Sequence, residues 1–62
     1  MSAGDEREVI FEIRQIGDIQ RVAAIDVETG AEVVIQAPAR ASEAEVQAVA
    51  LKKLEWVLAR RA

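Results

Sequence analysis

All three glycines and the single proline precede Ala39, and from there to Ala62 neither residue occurs again. The chain therefore splits into a first part punctuated for strands and turns and a second part free to run as one helix. Glu8 to Ile16 is rich in β-branched and aromatic residues, as a strand requires. Gly17-Asp18 reads as a two-residue hairpin loop, with glycine at the first central position of a type II′ turn. A second strand follows from Ile19 to Asp26. The segment Asp26-Val27-Glu28-Thr29-Gly30 reads as a turn, in which Asp26 can hydrogen-bond the backbone ahead and Gly30 supplies a positive φ. A third strand runs from Ala31 to Ala37, and Pro38 ends it.

Ser42 with Glu45 three residues on has the spacing of a capping box, in which each residue satisfies a free N–H of the other. Glu43 to Arg60 is then almost entirely strong helix formers, and Arg60 and Arg61 complement the dipole at the C-terminal end. The expected fold class is α+β: a three-stranded antiparallel meander with one C-terminal helix packed on one sheet face. Residues 1–7 are expected to form a disordered tail, and residues 8–62 a single βββα domain.

Registering the two hairpins sorts the apolar residues. A two-residue loop places Ile16 opposite Ile19, Ile13 opposite Val22 and Phe11 opposite Ala24. If the second turn leaves Ala24 opposite Val33, then Val22 faces Ile35. One face thus collects Phe11, Ile13, Val22, Ala24, Val33 and Ile35, with Val9 at its end, and the helix is expected to cover it. The other face carries Glu12, Arg14, Arg21, Glu32 and Gln36. It also carries Ile10 opposite Ile25, Ala23 beside Val34, and Ile16 opposite Ile19, an unusual load for a face in water. On the helix, Val46, Ala50, Leu51, Leu54, Val57 and Leu58 form one stripe of ordinary width. Val49 and Trp56 lie beyond its edge, past Lys53 and Arg60.

A chain of 62 residues buries only about 60% of the surface that its unfolded form exposes, so such a core is marginal alone. Small folds add disulfides, a metal or a partner. With no Cys and no His, a disulfide is impossible and a zinc site is not expected. A partner is the device that remains. The expected role is a self-associating or adaptor protein–protein interaction module, most simply a homodimer by two-fold symmetry. Candidate interface residues are Ile10, Ala23, Ile25 and Val34 on the sheet, and Val49 and Trp56 on the helix. The open edges of strands one and three offer a further route.

Other classes fare worse. With no His, Cys or Tyr, the common nucleophiles and proton shuttles are missing, so no catalytic residue, cofactor or small-molecule substrate is expected. An accessory subunit of a larger enzyme is a remote alternative. Weak nucleic-acid binding through Lys52, Lys53, Arg60 and Arg61, or through Arg14 opposite Arg21, is another. The net charge of −3 and the lack of stacking aromatics on the sheet speak against it. No apolar run approaches the ~20 residues of a membrane span. The N-terminus, Met1 to Glu8, lacks the basic start and apolar stretch of a signal peptide, so the expected location is the cytoplasm.

Three segments resemble a family of short uncharacterised bacterial proteins: Glu8-Val9-Ile10-Phe11-Glu12, then Ala24-Ile25-Asp26 with Thr29-Gly30-Ala31-Glu32-Val33, then Ala48 to Leu58. The resemblance runs from Glu8 to Arg60 and rests on turns, core positions and a helix. It implies the strand-strand-strand-helix fold and carries over no catalytic or binding residue.

Overall fold

The computed structural model describes residues 7–61. Three strands, β1 (Val9–Ile16), β2 (Ile19–Asp26) and β3 (Glu32–Pro38), precede one helix, α1 (Glu43–Arg61). The strands form one antiparallel sheet in the order β1-β2-β3. Ile13 pairs with Val22 and Phe11 with Ala24, while Val22 pairs with Ile35 and Ala24 with Val33, so both registers are those expected from the turns. The tail expectation for residues 1–6 lies outside the described residues.

The turns have the predicted chemistry. Gly17 has φ +61° and no non-glycine residue described has positive φ, which makes the Gly17-Asp18 loop type II′ rather than I′. Gly30 has φ +77°. Its N–H donates to the Asp26 carbonyl at 2.8 Å, and the Asp26 N–H donates to the Ala31 carbonyl at 2.8 Å. The capping box is formed: Ser42 N–H donates to Glu45 Oε1 at 3.0 Å and Glu45 N–H to Ser42 Oγ at 3.1 Å. The Ser42 backbone N–H first, and the Ser42 side chain second, hold the Glu45 carboxyl below its ordinary pKa.

Val46, Ala50 and Leu54 pack on Val22, Ala24, Ala31 and Val33 to make the core. Ala24 and Ala50 lack any exposed surface; such small side chains let the helix approach the sheet closely. The helix lies over β2 and β3, and of β1 only Val9 and Phe11 pack against the core. The expectation that it would cover the whole inner face is therefore corrected at one edge. Ile13 is 39% exposed, and Phe11 and Val9 are only partly buried. The short link Ala39–Ser42 returns the chain over β3 and its neighbour, too soon for the helix to reach β1.

Two buried polar side chains fix this arrangement. Gln20 sits on the inner face in phase with Val22 and Ala24. Its amide donates to the carbonyls of Pro38 and Ala41, both at 3.0 Å, and lies 3.5 Å from that of Ala39. It thus ties the β3–α1 link to β2. Asp26 is wholly buried. Its Oδ2 accepts from the Thr29 hydroxyl at 2.6 Å and the Thr29 N–H at 3.0 Å, and its Oδ1 pairs with Arg7 at 3.1 Å. The Thr29 hydroxyl in turn accepts from the Ala31 N–H at 3.1 Å.

These partners, the Thr29 hydroxyl first, hold the Asp26 carboxyl below its ordinary pKa against the opposing effect of burial. A carboxyl depressed in the folded state stabilises the fold above its unfolded pKa, and that contribution is lost as pH falls through the folded value. Urea midpoints should therefore fall on acidification below the ordinary aspartate range. The acid-dependent part should shrink in Asp26→Asn, which is less stable at neutral pH. A core test is Leu54→Ala, expected to cost about 2–5 kcal/mol in urea unfolding.

Candidate association surface

Strand pairing lays out the outer sheet face as four rows, each crossing β1, β2 and β3. The rows are Ile10-Ile25-Glu32, Glu12-Ala23-Val34, Arg14-Arg21-Gln36 and Ile16-Ile19-Pro38. The two rows of isoleucine lie at opposite ends, separated by charged residues. Between them is a shallow hollow bordered by Glu12, Arg14, Arg21 and Glu32, with Ala23 and Val34 as its apolar floor. Arg14 and Arg21 are direct cross-strand neighbours of like charge, a repulsive pairing. Among the described residues the one ion pair is Arg7–Asp26, so neither Glu12 nor Arg14 has a charged partner within 4 Å.

The sequence-derived candidates occupy three environments. Ile10 is 48% exposed and flanks the half-buried Ile25. Ala23 is only 9% exposed and Val34 is half-buried, so this pair forms floor rather than rim. Val49 and Trp56 stand on the helix, 57% and 60% exposed, around an apolar dip shared with Lys52 and Lys53. The Arg60 guanidinium lies 4.7 Å from the Trp56 ring centroid, a cation–π contact that gives the indole one partner within its own helix. The sheet candidates and the helix candidates do not meet. Lys53, between Val49 and Trp56 on the helix, reaches the edge of β3, where its ammonium donates to the Val34 carbonyl at 3.4 Å. The opposite flank of α1, at Glu55 and Leu58, faces Arg7 and hence the β1 side.

The strongest exposed apolar set was not singled out as such from sequence. It is β1 itself, where Ile10, Ile13 and Ile16 are all exposed. Periodicity assigns Ile13 to the covered face and cannot tell that the helix stops short of it. Among the described residues no group of three His, Cys, Asp or Glu side chains is placed to hold a metal ion. Among the same residues no helix is long and apolar enough to cross a membrane.

Since Trp56 lies outside the core, Trp56→Ala is expected to change the stability of the isolated fold by less than about 1 kcal/mol in urea unfolding.

Comparison with curated proteins and with solved structures gives no match. A family model does match, over residues 6–61, which takes in all three strands and the helix. The chain therefore belongs to the family described as a domain of unknown function (DUF6898).

Proposed function

We propose that the protein is a small association module whose first partner is a second copy of itself, working without a cofactor and in the cytoplasm. The observation that carries this reading is the set of large apolar side chains left in water. Ile10, Ile13, Ile16 and Ile19 are exposed on the sheet, and Val49 and Trp56 on the helix. A core of this size is marginal, and a chain with neither Cys nor His has covering such surface as its remaining means of gaining stability. Lack of cysteine also suits a reducing compartment. Catalysis forms no part of the proposal, because the side chains that commonly attack or shuttle protons are missing.

A second reading, weak nucleic-acid binding, has one observation in its favour: Arg14 and Arg21 adjoin on the open sheet face. Glu12 and Glu32 border the same hollow and the chain carries a net charge of −3, which weakens phosphate attraction there. A mobility-shift assay at low salt separates the readings, and absence of any shift removes this second one.

Self-association is tested by sedimentation equilibrium or light scattering at tens of micromolar. The expected particle has twice the 6.8 kDa mass of the chain and dissociates on dilution. A 6.8 kDa particle at every concentration refutes the proposal.

A further inference from the structure

We propose that two copies of the chain join edge to edge through β1, antiparallel and two-fold symmetric about Ile13, to make one six-stranded sheet. This rests on the self-association reading and assigns it a surface and a register.

The backbone sets which registers are open. The Val27 N–H donates to the Glu8 carbonyl at 3.1 Å, so the even-numbered residues of β1 hydrogen-bond to β2. In an antiparallel ladder the alternate residues then turn outward. Val9, Phe11, Ile13 and Gln15 thus aim their N–H and C=O groups at the free side. The helix lies over β2 and β3, leaving room beside β1. The other edge, at β3, has its Val34 carbonyl engaged by Lys53. A long unguarded edge strand with exposed isoleucines is the form of edge that pairs with another chain.

Side-chain chemistry selects one register. Centring on Ile13 places Ile13 against its own copy, Phe11 against Gln15, and about six main-chain hydrogen bonds across the junction. On the outer face it places Glu12 against Arg14 twice over, and Ile10 against Ile16. Among the described residues neither of those two charges has an ion-pair partner, and Arg14 already faces Arg21. The pairing supplies Arg14 with a carboxylate. It also joins the two separated isoleucine rows, because Ile25 and Ile10 of one copy continue into Ile16 and Ile19 of the other. Centring on Glu12 or on Arg14 sets like charges face to face. Centring on Phe11 sets Ile10 against Glu12 and leaves Ile16 without an apolar neighbour. With the two-fold axis normal to the sheet, both helices stand on the same face.

The test is a charge swap read by sedimentation equilibrium, with far-UV circular dichroism confirming the fold of each variant. Glu12→Arg alone and Arg14→Glu alone each create two like-charge pairs per dimer and should each raise the dimer dissociation constant about tenfold or more. An equimolar mixture of the two variants restores both opposite-charge pairs, so it should dimerise about as well as the natural chain. The double variant should do the same as a homodimer. Ile13→Lys, at an exposed position, puts two ammonium groups on the axis and should abolish the dimer even if a charge variant folds poorly. A natural chain that is monomeric overturns the parent reading. A dimeric natural chain indifferent to these changes, or dissociated by Trp56→Ala instead, leaves that reading standing and overturns this one.

Discussion

Where the helix lies across the sheet decides what this molecule hides and what it shows. A link as short as Ala39–Ser42 returns the chain over β3, and the Gln20 amide holds that link against β2 through carbonyls 18 to 21 residues away. Ala24 and Ala50 then let the helix settle close, so Val46 and Leu54 are almost completely enclosed. The same closeness fixes the lateral position over β2 and β3. Lying over β2 and β3, the helix stops short of Ile13, and β1 meets the core only through Val9 and Phe11.

Polar groups do structural work that so small an apolar core cannot do alone. Asp26 organises the second turn from inside, receiving Thr29 from one side and Arg7 from the other. Gln20 organises the entry to the helix. Among the described residues every buried side-chain nitrogen and oxygen has a hydrogen-bond partner. That is the condition under which buried polarity specifies a fold rather than weakening it.

Much of this architecture is legible in the sequence because it is local. Gly17-Asp18 fixes the first register, the Asp26–Gly30 turn fixes the second, and Ser42 with Glu45 marks the start of the helix. Each is a short-range hydrogen-bonding or φ requirement that one or two residues announce. What escapes is lateral. Periodicity places Ile13 and Val22 on one face without saying that only the latter meets the helix. Gln20, in phase with Val22 and Ala24, is the lone sequence sign of a buried amide, and its acceptors are main-chain groups that no side-chain pattern marks. Arg7 looks like part of a charged tail until the fold brings Asp26 beside it. The candidate surface is legible in the same partial way: Ile10, Val49 and Trp56 stand out in water, whereas Ala23 and Val34 are screened by their longer neighbours.

The Lys53 ammonium on the Val34 carbonyl has a consequence for stoichiometry. A sheet with two vacant sides can recruit copies without limit and grow into a filament. The lysine takes one outward carbonyl of β3 and sets a charge beside that edge, so β3 is a poorer template for pairing than β1. On the proposed pairing through β1, a guarded β3 edge would favour a finite two-copy particle over an endless ribbon.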